Sequence, residues 1–234
     1  MLTDHHCHVL PGIDDGSDSV ETSLAMLETM AAQGVERVVF TPHFYCHRER
    51  SVEHFLEKRQ AAFESIRDKS PIKNMLLGAE VAIEHGISEA AGIEKLAIEG
   101  TKLILMEFPY REYKEWMSEE IYNISAEFGL KIMLAHVHRY LPYFSKAELE
   151  KILSTKYVMQ LNNEAFTSWG EKKIAKNVMT STNRFAFGSD AHNNSSRKPN
   201  WDILQKKVKP EMIEISNGII ERYARETAAA GSKQ

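Results

Sequence analysis

No apolar run in this 234-residue chain approaches the ~20 residues needed to cross a bilayer, which excludes a membrane-inserted helix. The first residues, Met1 to His6, carry neither a basic segment nor an apolar signal core, so a cytoplasmic location is expected. Cysteine is scarce: Cys7 and Cys46 are too few for a disulfide scaffold and are expected to be thiols. Positive charge is not in excess, since 29 basic against 33 acidic side chains leave a formal charge of −4. There is no field to hold a phosphate polymer, so a general nucleic-acid role falls away. Linkers and charge blocks are missing too, and residues 1–228 read as one domain, with 229–234 a frayed polar tail.

What is present is an apolar content of 43%, enough for a sizeable core, and ten histidines. Short β-rich runs alternate with stretches of helical period. Seven strands are predicted at Leu2–His8, Arg37–Thr41, Met75–Glu80, Leu103–Phe108, Lys131–Ala135, Tyr157–Leu161 and Phe185–Gly188. Helices are predicted between them, including one from Ile87 to Ile98 and a last one from about Glu211 to Ala228. Asp18 with Glu21, and Ser145 with Glu148, have the spacing of helix-opening capping boxes. Near-continuous apolar strands separated by helices imply a parallel sheet covered on both faces. Neither a Gly-x-Gly-x-x-Gly turn nor a phosphate loop is present, so a barrel is favoured over the nucleotide-binding open sheets.

In a parallel barrel the C-terminal strand ends converge on one face. Those ends carry His6 and His8, His43, Glu80, Glu107, His136, Asn162 and Asn163, and Asp190 and His192, with Asp15 in the first loop. A single strand-end histidine is more often a solvated loop residue than a ligand; seven such ends together are hard to assign that way. His6 and His8 are two apart, so on a strand both imidazoles share a face while Cys7 points into the core. Asp4, two before His6, has the spacing of a carboxylate that fixes an imidazole tautomer. Five histidines and four carboxylates exceed what one ion needs and imply two or three metals bridged by carboxylates, with Mn, Fe or Zn fitting better than Ca. Clustered metals suit phosphoryl or acyl hydrolysis.

The motifs Asp4-His5-His6-Cys7-His8, Leu10-Pro11-Gly12-Ile13-Asp14-Asp15-Gly16, Thr41-Pro42-His43, Gly78-Ala79-Glu80, Met106-Glu107-Phe108, Ala135-His136 and Gly188-Ser189-Asp190-Ala191-His192 resemble the PHP (polymerase and histidinol phosphatase) superfamily. The nearest branch is the CpsB/CapC-type bacterial tyrosine-protein phosphatases of capsule and exopolysaccharide operons. The resemblance implies an α/β fold, a distorted seven-stranded (β/α)7 TIM-like barrel, holding three divalent ions, commonly manganese. Carried over by position, His6, His8, Glu80 and Asp190 would bind the first ion, and Glu80, Glu107 and His136 the second. Asp15, His43 and His192 would hold the third, and Arg139 and Arg197 would contact the phosphate. It also implies a partner tyrosine kinase whose tyrosine-rich tail is the substrate. His138 stands where the family usually has Glu; support of the metal shell, proton donation and simple exposure are the readings open to it.

The expected reaction is hydrolysis of phosphotyrosine by a metal-bound hydroxide. A cysteine phosphatase would need Arg six residues after its nucleophile, whereas Ile13 and Val52 stand six after Cys7 and Cys46. Phe44, Tyr45, Tyr110, Tyr140 and Tyr143 are candidates to frame an aryl phosphate. The alternative substrate is a small phosphoester such as histidinol phosphate, and the non-enzymatic alternative is a metal-stabilised module that binds a tyrosine-rich tail.

Overall fold

The structure, a computed structural model, describes residues 1–231. In chain order it contains β1 (Leu2–Cys7), α1 (Val20–Ala32), β2 (Val35–Phe40), β3 (His43–Phe44), α2 (Val52–Arg67), β4 (Asn74–Leu77), β5 (Glu80–Ala82) and β6 (Leu103–Glu107). There follow α3 (Glu115–Phe128), β7 (Lys131–Leu134), α4 (Lys146–Leu153), β8 (Val158–Asn162), α5 (Trp169–Ser181) and β9 (Phe185–Gly188). Three helices close the described chain: α6 (Trp201–Lys207), α7 (Pro210–Asn217) and α8 (Ile219–Gly231). All ladders are parallel, in two sheets ordered β1-β2-β4 and β3-β5-β6-β7-β8-β9.

The α/β class and the parallel pairing agree with the sequence; a seven-stranded closed barrel does not appear. The strand expected at Met75–Glu80 is broken in two, and a further short strand, β3, follows the one expected at Arg37–Thr41. Between β2 and β3 lies Pro42, which has no N–H for a ladder, although its carbonyl still accepts from Glu80 N–H at 3.0 Å. Between β4 and β5 the Gly78 carbonyl turns to the buried Arg59, accepting from Nη1 at 2.6 Å. The outer edges, β1 and β9, are joined by an isolated parallel bridge, Cys7 with Ala191, by Asp190 N–H to His6 O at 2.8 Å and His8 N–H to Ala191 O at 2.9 Å, and by His5 Nδ1 to the Phe187 carbonyl at 3.0 Å. A regular ladder stops there because Asp190 takes a left-handed φ of 49°.

Alternation along the strands builds the core and aims the site. On β6, Ile104 and Met106 join the larger apolar cluster, while Leu103 and Leu105 join a second cluster sealed by Ile219, Ile220 and Tyr223 of α8. Period two then puts Glu107 on the Leu105 side, at the strand's C-terminal end. On β8, Met159 and Leu161 belong to the larger cluster and Val158 to the second, so Gln160 and Asn162 continue the Val158 line. On both strands the face turned toward the cleft therefore starts apolar and ends polar.

Local differences have local causes. The expected helix at 87–98 is two 3₁₀ turns, Ile87–Glu89 and Ile93–Leu96, each entered through a left-handed glycine, Gly86 and Gly92. The last expected helix is split at Gly218 into α7 and α8. Ser19 rather than Asp18 caps α1, its side chain accepting from Thr22 N–H, whereas the Ser145–Glu148 capping box of α4 forms as expected. Of the expected tail at 229–234, the backbone of 229–231 continues α8, and 232–234 lie outside the described residues. Among the described residues no helix is long and apolar enough to cross a membrane.

Candidate metal centre

The C-terminal strand ends meet in a cleft of about 600 Å³ lined by Asp15, His43, Glu80, Glu107, His136, Asp190, Arg139 and Arg197 among others. All nine candidate ligands come together there. Three groups have donor atoms within 4.8 Å of one another: His8, Asp15, His43 and His192; His6, His8 and Asp190; and His43, Glu80 and Glu107. His136 Nε2 adds to the last, 3.0 Å from Glu80 Oε1 and 3.3 Å from Glu107 Oε1. The grouping differs in detail from the positional expectation, because His8 and His43 each stand between two groups.

The backbone is bent to achieve this. His136 and Asp190 are the non-glycine residues with positive φ among the described residues, at 27° and 49°. By strand alternation His136 would follow Ile132 and Leu134 outward into the larger apolar cluster; the left-handed step returns it to Glu80. Gly16 lets the first loop fold back on β1, since a Cβ there would sit 2.2 Å from the His8 carbonyl oxygen. That fold carries Asp14 and Asp15 to the cleft.

Hydrogen bonds fix the tautomers. Gln160 Oε1 accepts from His136 N–H at 2.7 Å, and Gln160 Nε2 donates to Asn162 Oδ1 at 2.9 Å, so the amide orientation is settled and His6 Nδ1 must be the donor across 3.1 Å. His8 Nδ1 donates to Asp14 Oδ2 at 2.7 Å, and His192 Nδ1 donates to the Asp190 carbonyl at 2.9 Å. When these three rings are neutral, their Nε2 lone pairs therefore face inward. His6 Nε2 and His8 Nε2 lie 3.1 Å apart, each 3.1 Å from Glu80 Oε2 and 3.6 and 3.4 Å from Asp190 Oδ1. His192 Nε2 is buried without a hydrogen-bond partner. Buried acceptors facing acceptors are stable only around positive charge. The donor set, nitrogen and oxygen without thiolate, fits divalent ions of the Mn, Fe or Zn type.

The electrostatics agree. Burial would depress the His8 pKa, but the carboxylates of Asp14, Asp190 and Glu80 around it hold it well above the ordinary imidazole value. Burial opposes ionisation of Glu80 as well; the imidazoles of His6 and His43 overcome it and keep this carboxyl well below its usual range. Both thiols are pushed up, Cys7 by complete burial and Cys46 by partial burial, so neither is an activated nucleophile.

Arg139 donates to Asp190 Oδ2 and to Glu164 Oε1, both at 2.6 Å, and Arg197 donates to Asp190 Oδ2 at 3.0 Å. Asn162 Nδ2 reaches the same Asp190 oxygen at 3.0 Å, whereas both polar side-chain atoms of Asn163 are buried without partners. Asp4 does not touch an imidazole: it accepts from the backbone N–H of His6 and Ser189 and from Trp201 Nε1 at 2.8 Å, and so pins β1 to the segment after β9. His138 is fully buried with neither ring nitrogen partnered, and burial holds its pKa well below 6.5. It hydrogen-bonds none of the candidate ligands and is uncharged at neutral pH. Of the aromatic candidates Tyr45 and Tyr110 line the cleft, Phe44 and Tyr140 are core, and the exposed Tyr143 packs beside Tyr110. Asp14, Gln160 and Glu164 escaped the sequence reading; Gln160 was findable as the residue two before Asn162 on the same strand face.

Comparison with known proteins gives one consistent picture. The family described as capsular polysaccharide synthesis, CpsB/CapC, matches residues 2–221. The tyrosine-protein phosphatase YwqE of Bacillus subtilis is 27% identical over 143 residues, covering 59% of this chain and 55% of that protein. The tyrosine-protein phosphatase CpsB of Streptococcus pneumoniae is 26% identical over 227 residues, covering 88% and 90%. The matched part thus spans about half the length of the Staphylococcus aureus and B. subtilis relatives. A solved chain from the crystal structures of YwqE and CpsB, described as unique metal-dependent tyrosine phosphatases, superposes with a TM-score of 0.75 at 21% identity, covering 96% of this chain and 94% of that one. At that identity the superposition establishes the shared fold.

Proposed function

Because this chain belongs to the CpsB/CapC family of capsular polysaccharide synthesis, we propose that it is a metal-dependent protein-tyrosine phosphatase. The observation that carries this reading is the set of inward-facing imidazole lone pairs and carboxylates set directly beside two guanidinium groups. We read residues 1–228 as one catalytic domain, its two sheets being the split wall of a distorted seven-stranded barrel bridged at Cys7 and Ala191.

We assign His6, His8, Glu80 and Asp190 to a first ion, Glu80, Glu107 and His136 to a second, and Asp15, His43 and His192 to a third, manganese being the expected metal. Bound there, divalent ions would lower the pKa of water and neutralise phosphoryl charge. The chain itself supplies the rest. Arg139 and Arg197 are anchored through Asp190, which leaves guanidinium N–H groups for phosphoryl oxygens in a preset geometry. Tyr45 and Tyr110 wall the cleft for an aryl ring. Tyrosinate is a good enough leaving group to depart without a strong buried acid, in keeping with the uncharged His138. A tyrosine-rich tail of a bacterial kinase regulating capsule or exopolysaccharide synthesis is the partner we propose.

The test is turnover of a phosphotyrosine peptide against histidinol phosphate by the manganese-loaded protein. Peptide turnover that a chelator abolishes and a thiol alkylator spares supports the reading. Activity that survives chelation, or full activity of His136→Ala, would falsify it; we expect His136→Ala to lose at least about 100-fold.

A further inference from the structure

The cleft holds more guanidinium than one phosphate needs. Four arginines line it, in two pairs. Arg139 and Arg197 follow β7 and β9, the neighbours of β8, and both are tied to Asp190. Arg48 and Arg111 follow β3 and β6, the neighbours of β5, and so stand at a different sector of the rim. Among the described residues no carboxylate lies within the 4.0 Å ion-pair range of either. Glu84, which lines the same cleft, is engaged by His47, with Nδ1 to Oε2 at 3.4 Å.

These two side chains are exposed but not loose. Arg48 N–H donates to the Tyr45 carbonyl at 3.0 Å, and its guanidinium lies 4.3 Å from the Tyr45 ring centroid. That ring packs 5.2 Å from His43. Arg111 N–H donates to the Pro109 carbonyl at 2.7 Å, and its guanidinium lies 5.8 Å from the Trp116 ring, which stacks on His85 at 3.7 Å. Stacking on an aromatic face orients a guanidinium while leaving all of its N–H donors free.

We propose that Arg48 and Arg111 form an outer clamp for a second anionic group next to the phosphotyrosine, so that the preferred substrate is a protein segment bearing another negative charge beside the scissile residue. The proposal rests on the phosphatase reading and adds a specificity to it. The anion is either a carboxylate of Asp or Glu or the phosphate of a neighbouring phosphotyrosine, and the two are separated by experiment.

Four peptides of equal length carry a phosphotyrosine flanked by Ala, Glu, Lys or a second phosphotyrosine. The metal-loaded protein is assayed for kcat/KM on each, and for Kd on versions with a non-hydrolysable phosphonate in place of the scissile phosphate. We expect the favoured anion-flanked peptide to exceed the Ala-flanked one by about tenfold in kcat/KM, through KM, and by a similar factor in Kd. Whichever of the Glu and bisphosphorylated arms leads identifies the source. R48E/R111E should invert the preference toward Lys, and R48K/R111K, as a folding and charge control, should retain much of it. Equal Kd values for all peptides in the wild type, or an anion preference kept in R48A/R111A, would overturn the clamp. A Kd preference without any turnover would sink the phosphatase reading and leave the clamp standing.

Discussion

Asp14 Oδ2 accepts from both His8 Nδ1 at 2.7 Å and His43 N–H at 2.9 Å, so one carboxylate without a place among the nine expected ligands orients two of them. Outer partners of this kind set ring orientation and basicity. Asp14→Ala is expected to weaken metal affinity by roughly 10–100-fold while leaving the fold intact, measured by metal titration and circular dichroism. A ligand role limited to the nine predicts no change. His5 sits on the other face of β1, fully buried, with Nδ1 donating to the Phe187 carbonyl at 3.0 Å. Burial lowers its pKa from 6.5 to about 4. Between these values the unfolded chain binds a proton that the folded chain does not, so this contribution to stability is complete above pH 6.5 and lost as pH falls toward 4. Its size is on the order of 3 kcal/mol. Urea unfolding of His5→Asn against wild type at pH 7 and pH 4.5 should show a shallower loss in the variant; parallel losses would refute the assignment.

At the level of elements, the close approach at Gly188 and the cap at Ser145 carry separable consequences. A Cβ on Gly188 would meet His6 Cβ at 2.7 Å and His6 N at 2.9 Å. Backbone cannot give way as a flexible side chain can, so Gly188→Ala should force β9 from β1, costing about 1–3 kcal/mol and loosening the His6–Asp190 pair at once. A variant with wild-type stability and metal content would contradict this. Ser145 is not among the candidate ligands and caps α4, where its side chain accepts from Glu148 N–H at 3.3 Å. Ser145→Ala should cost about 1 kcal/mol in denaturant unfolding with metal affinity unchanged. The contrast tests whether helix stability and site geometry are independent here. An element whose signal is local, such as α4 after Ser145, was legible from the sequence. The 3₁₀ turns were not, because an apolar period over 87–98 says nothing about the φ of Gly86 and Gly92.

Across the whole molecule, parts of the chain up to 186 residues apart, from His6 to His192, must meet before any ligand set exists. A group that binds only the folded chain stabilises it by mass action, about 4 kcal/mol at a thousandfold excess over Kd. Chelation should therefore lower the thermal midpoint as well as abolish hydrolysis, and restoring manganese should return both; an unchanged midpoint would mean that the convergent acceptors need no cation. What the amino-acid order determined alone was the parallel α/β class, through apolar runs alternating with helical period, and the identity of the nine candidate ligands, through period-two placement at strand ends such as His6 and His8. Tertiary structure alone decided how those ligands are shared and aimed. Gln160 joins His6 to His136, Asp14 joins His8 to His43, and strained backbone at His136 and Asp190 turns side chains that alternation cannot place. It also decided that the strands divide into two sheets at Pro42 and Gly78, since a missing N–H and a carbonyl drawn off by Arg59 act only once the neighbouring strands are in place.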